Sequence, residues 1–579
     1  MALFTYSCSK IGRLQLRLCM LLLCTAALIH CKSNSANDVQ SAQLADDRTS
    51  IAIHDSIIKA LRLAAPKEEG RTWFDTSLAF SSDWLFPTTD KLWGVSASTL
   101  PVNEPCTNGP GCDPDFHRLV CTTNADCIDP GLNCAPLLAT VKKPGDVPLN
   151  LCQYPSDSMV DGVYKIMTQA EERLDIVSLA APSGIFVSAI NNALSFLSHR
   201  NSFTEVRILY SGEVTRKLNI NQPPSAYLST LLAGLTKSGA KLETLKIDVG
   251  WLSSKKALSW NHAKLIIADQ KIVLQGGHNL WDPDYIGLRP VSDMSMIGTG
   301  AGVVASEKFV DLLWSFVQGA AVHPSQGKVS KPFADAVVPQ RQPGELSVLA
   351  VGRLGAYNNG VLYPASRGQE SKQSSDEALR ALIDAAQTEV LIAQQDLYNL
   401  ITKKGPLIDF STNEVVGRFG ASYAATNIAQ AVLRGVKFNI IQSNAGTDPV
   451  NDYGTVSATD AFTALVGKIE KVAAEIKFIP PPGKTLRAYI CSQVNYAPFR
   501  YSPSWDKWAN GTTIGNHTKI VIADRAAFYI GSHNLYPFDL QEFGMITFDV
   551  ARAEELIKRY WVPAWAGSSP SKIACPSGA

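Results

Sequence analysis

The chain carries one short pattern of polar residues twice. The first copy, Asn261 to Lys264, reads Asn-His-Ala-Lys, and the second, Asn516 to Lys519, reads Asn-His-Thr-Lys. Each copy continues through an aspartate to a Gly-Gly-His-Asn or Gly-Ser-His-Asn segment: Asp269 and residues 276–279, then Asp524 and residues 531–534. One His, one Lys and one Asn from each copy would supply two imidazoles and several donors for phosphate oxygens. Phosphodiester cleavage requires these groups.

Apolar runs around each pattern predict the elements that position it. Short buried strands joined by hairpin turns are predicted at residues 265–268, 272–274, 520–523 and 528–530. His and Lys, two residues apart, should therefore share one face of a strand. The glycines and the Asn should return beside them. We expect Gly277 and Ser532 to let backbone N–H groups approach an anion closely.

A single His-x-Lys on a strand is most often a solvated surface pair, but two aligned copies indicate function. The repeat resembles the phospholipase D superfamily, whose fold places the two motifs face to face on a pseudo-twofold axis. Longer stretches resemble the secreted phospholipases D of the Streptomyces type: residues 258–262, 290–293, 374–387, 394–397, 529–537 and 540–544. The resemblance implies an α/β fold with two lobes, each a mixed β-sheet flanked by helices, related by pseudo-twofold symmetry.

The residues themselves also indicate two α/β units. Both halves contain a predicted helix followed by strands: 161–174 with 174–180 and 206–209, and 375–387 with 389–393 and 437–441. The stretch from Ser325 to Glu345 is the predicted linker. We assign residues 50–340 to a first lobe, with a cysteine-rich insertion at about 104–153, and residues 341–575 to a second lobe.

The resemblance implies a role for each motif residue. In that family the first His becomes phosphorylated and the second protonates the leaving alcohol. This makes His262 the nucleophile and His517 the general acid, later the base that activates water. Four residues should bind the nonbridging phosphate oxygens: Lys264, Lys519, Asn279 and Asn534. We expect no metal ion or other cofactor, since the lysines supply positive charge and no cluster has metal-ligand spacing.

Four carboxylates are expected to support the motifs. Asp293 and Glu542 align with the family's acidic partners of the histidines, where a carboxylate at imidazole Nδ1 leaves Nε2 facing the substrate. The alternative, that both are surface residues, is disfavoured by their equivalent placement after the two motifs. Asp269 and Asp524 face away from the phosphate in the family fold. We expect them to be structural, bonding the hairpin and the neighbouring lobe.

Aromatic residues near the motifs could line a headgroup pocket or touch a lipid surface. They are Tyr496, Phe499, Tyr501, Trp505, Trp508, Trp281 and Tyr536. A quaternary ammonium over aromatic faces gains about 0.5–2 kcal/mol. Because aromatic side chains are more often core residues, we expect only a minority of these to contact a ligand.

The composition fits a large globular protein with a near-neutral surface. Of 579 residues, 46% are hydrophobic and 18% are charged, which is enough for large cores. The formal net charge is +1, and without residues 1–31 there are 50 basic against 52 acidic residues, or −2. We expect a monomer acting on phospholipid at a membrane or micelle surface, with no stable nucleic-acid partner. An exported nuclease on the same fold is the alternative.

The N-terminus predicts export. Three basic residues precede the apolar run from Leu18 to Ile29, which is the layout of a secretory signal rather than of a spanning helix. We predict a signal peptide at residues 1–31 and a secreted protein. Lipidation of Cys31 is the less favoured alternative, because His30 stands where a small residue is expected.

Cysteine usage agrees with export. Eight of the twelve cysteines follow the leader, and six of these crowd into one segment: Cys106, Cys112, Cys121, Cys127, Cys134 and Cys152. This density predicts disulfides, and a zinc cluster is disfavoured because paired Cys-x-x-Cys spacing is missing. Cys106 and Cys112 match a small disulfide loop of the resembled family. Cys491 has a family counterpart whose usual partner is missing, which leaves Cys575.

Overall fold

The computed structural model describes much of the chain after the leader. The described residues are 48–576 apart from 89, 96–99, 101–105, 107–109, 130, 201, 213–221, 254–258, 326–336, 356–372, 403–404, 407, 410–413, 416–417, 421–422, 446–453, 455 and 537. The predicted signal peptide with Cys31, and part of the predicted linker, lie outside them. Among the described residues, no helix has both the length and the apolar character needed to cross a membrane.

Strands and helices alternate in both halves. The described strands are β1 (Trp73–Leu78), β2 (Leu85–Pro87), β3 (Cys112–Asp113), β4 (Arg118–Leu119), β5 (Asn133–Leu137), β6 (Leu149–Gln153), β7 (Arg173–Val177), β8 (Thr204–Ser211), β9 (Leu245–Leu252), β10 (Leu265–Ala268), β11 (Ile272–Gly276), β12 (Met294–Thr299), β13 (Gly319–His323), β14 (Leu346–Arg353), β15 (Glu389–Gln394), β16 (Asn399–Thr402), β17 (Gly405–Pro406), β18 (Ile408–Asp409), β19 (Glu414–Val415), β20 (Arg418–Gly420), β21 (Lys437–Gln442), β22 (Val494–Pro498), β23 (Lys519–Ala523), β24 (Ala527–Gly531) and β25 (Glu542–Thr547). The described helices are α1 (48–64), α2 (Ser158–Met167), α3 (Ile185–Ser198), α4 (Pro224–Lys237), α5 (Asp282–Tyr285), α6 (Ala301–Trp314), α7 (Ser374–Ala385), α8 (Ala425–Leu433), α9 (Ala458–Glu475), α10 (Leu486–Gln493), α11 (Val550–Leu556) and α12 (Val562–Ser568), with one π-helical turn at Ile557–Trp561.

Two large mixed sheets contain the same six-stranded unit. The first sheet has the order β13-β9-β8-β7-β10-β11-β12-β2, and the second β1-β14-β25-β24-β23-β15-β21-β22. In each sheet, three parallel strands (β7, β8, β9 or β15, β21, β22) lie beside three antiparallel strands (β10, β11, β12 or β23, β24, β25). The first two antiparallel strands of each set form the motif hairpin. The central strands are buried almost throughout, as expected for sheets covered on both faces.

The layers run helices, sheet, sheet, helices. One hydrophobic core lies between the two sheets and includes Leu265 and Ile267 of β10 and Ile520 and Ile522 of β23. Outer cores pack α2, α3 and α4 on the first sheet and α1, α7, α8 and α9 on the second. The predicted α/β fold with two lobes is therefore confirmed.

Three expectations about boundaries were wrong. Residues 50–78 do not belong to the first lobe, because β1 pairs with β14 and α1 packs Ile57 and Leu61 into the core of the second sheet. The helix predicted at 161–174 ends at Met167, since Arg173 already begins β7. The two motif histidines also lie before the strands β10 and β23 rather than on them.

Both motif hairpins are tight turns, as predicted. Asp269 and Gln270 have φ of 54° and 58°, and Asp524 and Arg525 have 49° and 55°. Positive φ at both central residues is typical of the turns that suit the right-handed twist of paired strands.

The carboxylates of Asp269 and Asp524 in the two turns accept hydrogen bonds from backbone N–H groups at the start of the neighbouring strand in the sheet. Asp269 accepts from residues 171–173 and Asp524 from residues 387–389, at 2.6–3.0 Å. These contacts stay within each lobe, and among the described residues neither carboxylate makes the expected bond to the neighbouring lobe. Each turn lies beside the start of a strand of its own lobe, β7 for Asp269 and β15 for Asp524, so the carboxylate bonds there.

The eight cysteines after the leader form four disulfides. The pairs are Cys106–Cys112, Cys121–Cys134, Cys127–Cys152 and Cys491–Cys575. The disulfide prediction is confirmed, including the assignment of Cys575 to Cys491. The insertion has little core of its own, and Phe116 and Leu151 join the outer core of the first lobe.

Candidate active site

The two motifs meet where the halves exchange backbone hydrogen bonds. The N–H of His262 donates to the carbonyl of Gln541 (2.8 Å), and the N–H of His517 donates to that of Ser292 (2.7 Å). The segment before each acid thus pairs with the histidine segment of the other half. The backbone N–H of each histidine is hydrogen-bonded to the other lobe, and the regular strand of its own lobe begins only after it.

This exchange crosses the acid–histidine pairs between the halves. Nδ1 of His262 lies 2.9 Å from Oε2 of Glu542, and Nδ1 of His517 lies 2.7 Å from Oδ2 of Asp293. The ring centroids of the two histidines are 6.0 Å apart. Each carboxylate can hold Nδ1–H and leave Nε2 for chemistry. For both motif histidines, the carboxylate at Nδ1 therefore comes from the other half.

The lysines and asparagines of both motifs are buried. Lys264 Nζ donates to the carbonyl of His262 (2.6 Å), and Lys519 Nζ donates to that of His517. The four side chains are 0–3% exposed. In the amides of Asn279 and Asn534, Oδ1 has no hydrogen-bond partner among the described residues. Since an amide can rotate, that end of the side chain can present N–H to a phosphate oxygen.

Gly277 and Ser532 have a different role from the one expected. Their backbone N–H groups donate to the carbonyls of Met294 and Phe543, so they do not point at an anion. A Cβ at Gly277 would lie 2.0 Å from Oδ1 of Asp293, which explains the glycine. Ser532 Oγ instead donates to Oε2 of Glu542 at 2.6 Å. Both residues shape the environment of an acid.

Tyr285 belongs to the site but was not predicted. Its hydroxyl donates to Oδ2 of Asp293 (2.9 Å) and lies 3.0 Å from Nδ1 of His517. The side chain is fully buried. The sequence offered little signal, because Tyr285 lies in a short segment between motif and acid that has no counterpart in the second copy.

Burial and like charges control protonation in the site. Burial, with added repulsion from the two lysines, lowers the pKa of His262 and of His517 well below the ordinary value. Burial also lowers the pKa of Lys519 to about 7. A bound phosphodiester anion would oppose these shifts, because its negative charge favours the protonated lysines and one protonated imidazole.

Most of the aromatic candidates are core residues. Five of them are at most 7% exposed and pack in the hydrophobic cores: Tyr496, Phe499, Tyr501, Trp505 and Trp508. Tyr536 borders the site, since its hydroxyl accepts a hydrogen bond of 2.7 Å from Asn534. Trp281 is partly buried beside the first motif.

Sequence comparison decides the family. No protein-family model matches the chain. The chain is 30% identical over 468 residues to phospholipase D from Streptomyces antibioticus, across 72% of this chain and 78% of that enzyme. The chain belongs to the phospholipase D family. The resemblance inferred from the duplicated motif is thereby confirmed, and the protein is a phosphodiesterase of the phospholipase D superfamily.

Solved structures give weaker likenesses to this phospholipase D family member. Phosphatidylserine synthase from Haemophilus influenzae Rd KW20 has a TM-score of 0.46 at 12% identity, over 71% of this chain and 85% of that one. Nuc from Salmonella typhimurium, a phospholipase D family member, has a TM-score of 0.19 at 14% identity, over 33% and 86%. The family assignment rests on the sequence relationship.

Proposed function

We propose that this protein is a secreted phospholipase D that hydrolyses phosphatidylcholine-like phospholipids to phosphatidate and a free headgroup. The observation that supports this most is the crossed arrangement in which Glu542 holds His262 and Asp293 holds His517. It brings together two imidazoles, each held at Nδ1 by a carboxylate, and two buried lysines that contact the backbone of the same histidines. The Streptomyces relative, named phospholipase D, supports the choice of phospholipid.

In the first step, Nε2 of His262 attacks phosphorus and the bond from phosphorus to the headgroup oxygen breaks. His517, protonated once the anionic diester is bound, gives its proton to that oxygen, so the headgroup leaves as an alcohol. Lys264 and Lys519 stabilise the charge on the nonbridging oxygens. Removing one such donor from a dry site costs about 2.7–4 kcal/mol.

In the second step, neutral His517 takes a proton from water as the water oxygen attacks phosphorus. The bond from phosphorus to His262 breaks, which releases phosphatidate. A primary alcohol can take the place of water, because the alcohol occupies the position that the headgroup oxygen has left. We therefore propose that the enzyme also transfers the phosphatidyl group to primary alcohols.

The test is an assay of purified protein on phosphatidylcholine vesicles with a small fraction of n-butanol. We expect choline release together with phosphatidylbutanol, formed at the expense of phosphatidate. Tertiary butanol, too crowded to attack phosphorus, is the matched control and should give no transfer product. Release of nucleotides from DNA with no cleavage of lipid would instead establish the nuclease alternative.

Export, partners and metal use complete the proposal. The four disulfides support a secreted protein, because such bonds persist in oxidising compartments. We propose a monomer that works at a lipid surface and forms no stable complex with nucleic acid. Since Lys264 and Lys519 supply the positive charge, hydrolysis of a soluble diester should continue in chelator. Complete and reversible loss of activity there would contradict metal independence.

A further inference from the structure

Residues 538–542 carry two groups that hold the proposed nucleophile. The carbonyl of Gln541 accepts the N–H of His262 at 2.8 Å, and the N–H of Gln541 donates to the carbonyl of Trp260 at 3.0 Å. The next residue, Glu542, lies 2.9 Å from Nδ1 of His262. The position of this segment therefore sets both the backbone and the ring of His262.

Arg353, the last residue of β14, binds the same segment through one guanidinium. Its Nη1 donates to the carbonyls of Phe538 and Leu540, the latter at 3.3 Å, and its Nη2 lies 3.6 Å from Oδ1 of Asp539. Its Nε donates to Oδ1 of Asp376 at 2.9 Å. Because the guanidinium is planar and has five N–H donors in a fixed arrangement, it can hold several acceptors at once. Three consecutive residues are thus held by one side chain.

The charges in this cluster are removed from water. The side chain of Arg353 is 1% exposed, and those of Asp376 and Asp539 are 0% exposed. A buried ion that separates from its partners finds no water to replace them, so separation is strongly unfavourable. The contacts of Arg353 should therefore hold the segment rigidly.

The side chain of Gln541 ties the segment to the residues before the nucleophile. Its Nε2 donates to Oγ of Ser259 at 3.0 Å and to the carbonyl of Leu354 at 3.1 Å. Since Leu354 directly follows Arg353, two adjacent residues at the end of β14 contact the segment. Hydrogen bonds thereby connect the end of β14 to the chain that leads to His262.

The first half has a different residue at the equivalent position. Arg353 lies opposite Glu542 in the pairing of β14 with β25, and β2 lies beside β12 in the same way. Thr88, directly after β2, exchanges two hydrogen bonds with Asp293. Its N–H donates to the Asp293 carbonyl at 3.0 Å, and its Oγ1 accepts the Asp293 N–H at 2.9 Å. A neutral threonine thus supports one acid where an arginine supports the other.

We propose that Arg353 is a positioning residue for His262. By fixing residues 538–540, it sets where the Gln541 carbonyl and the Glu542 carboxylate hold the imidazole, and so where Nε2 meets phosphorus. This inference rests on the proposed phosphohistidine chemistry, in which Nε2 of His262 is the nucleophile.

The two supports should affect different steps. Loss of Arg353 should slow the attack of His262 on phosphorus with every substrate. Loss of the Thr88 hydroxyl should instead disturb Asp293 and the proton transfer by His517, which a good leaving group does not need. A soluble p-nitrophenyl diester, whose leaving group needs no proton donor, therefore separates the two supports.

Arg353→Lys tests position apart from charge. Lysine keeps the buried positive charge but cannot hold several acceptors in one plane. We expect single-turnover release of p-nitrophenol, followed by stopped flow with enzyme in excess, to slow by roughly 10–10²-fold, because a small misplacement of a reacting atom costs up to about this much. The half-saturating concentration should stay nearly unchanged. Thr88→Val, of similar size at the equivalent position, should keep the rate with this diester and lose rate with a poor leaving group.

A charge-balanced variant separates positioning from stability. Arg353→Met together with Asp376→Asn removes one buried cation and one buried anion, so its Tm, measured by circular dichroism, should exceed that of Arg353→Met alone. Because methionine donates no hydrogen bond to the segment, single-turnover release should stay slow. Recovery of the rate together with the Tm would show that Arg353 only stabilises the fold and would overturn the proposal. The charge-balanced variant provides the same test of position if Arg353→Lys does not fold.

Failure of this inference is distinct from failure of the proposed function. If wild-type protein cleaves the diester without forming phosphoenzyme at His262, the phosphohistidine chemistry is wrong and the inference falls with it. If wild-type protein forms the phosphoenzyme and a folded Arg353→Lys forms it at the same rate, the chemistry stands and Arg353 does not position the nucleophile. An equal slowing in Thr88→Val would contradict the assignment of Arg353 to His262.

Discussion

The two half-sites share their motif and differ in what holds each acid. Asp293 lies against Gly277 and accepts from the hydroxyl of Tyr285, whereas Glu542 accepts from Ser532. The Lys and Asn residues that we propose bind phosphate are duplicated, and the residues that contact the two acids are not. These unequal surroundings agree with the different roles that we propose for the two imidazoles.

The largest contrast should appear when the two histidines are removed separately. His262→Ala deletes the proposed nucleophile, so we expect kcat to fall by roughly 10⁴-fold or more with every substrate. His517→Ala deletes only the proposed proton donor and later base, and general acid–base catalysis contributes about 10²–10⁴-fold. Rates of headgroup release and of product formation, measured separately, distinguish the two.

A substrate with a good leaving group sharpens this contrast. A p-nitrophenyl ester needs no proton donor, so His517→Ala should still release p-nitrophenol in a single burst and accumulate phosphoenzyme. His262→Ala should show no burst. Phosphate found on residue 517 rather than on 262 in trapped wild-type enzyme would reverse the assignment.

The crossed pairing predicts which histidine each acid variant resembles. Glu542→Gln should act like a weakened His262 and lower kcat with all substrates, by about 10²–10⁴-fold, because the imidazole loses its correct tautomer. Asp293→Asn should act like a weakened His517 and be rescued by the p-nitrophenyl ester. If rescue followed Glu542→Gln instead, the acids would serve the histidines in the opposite order in solution.

The sequence predicted features that local patterns encode and missed contacts between segments that are far apart in the chain. The hairpins at Asp269 and Asp524 were predictable because turn and strand patterns are local. The exchange of acids between halves was not, since it depends on backbone bonds from Gln541 to His262, 279 positions apart in the chain. Residues 50–78 were misplaced for the same reason, because pairing of β1 with β14 leaves no local signal.

A smaller effect on activity is expected from removing the hydroxyl groups that donate to the two acids, Tyr285 at Asp293 and Ser532 at Glu542. Tyr285→Phe removes one hydrogen bond to Asp293, and a bond to a charged group is worth about 1.5–3 kcal/mol. We expect a loss of roughly tenfold or more in kcat with lipid and little loss with the p-nitrophenyl ester. Ser532→Ala is the matched variant at Glu542 and should lower the rate with both substrates. Equal behaviour of the two variants would mean that these hydroxyls do not distinguish the halves.

The smallest expected effect concerns stability. Burial gives Lys519 a pKa of about 7 in the folded protein, against about 10.4 for a free side chain. Between these values the unfolded chain binds more protons, so the free energy of unfolding should rise as pH increases from about 7 to about 10.4. Lys519→Met should lower kcat by about 10²–10³-fold, weaken this pH dependence and raise the Tm at pH 7 by a few degrees. Lys271, whose side chain is 61% exposed, is the matched control, and its change to Met should leave the Tm almost unchanged. A lower Tm for Lys519→Met would mean that the buried ammonium is stabilised by its neighbours, and that the acids of both halves, rather than the substrate, neutralise the site.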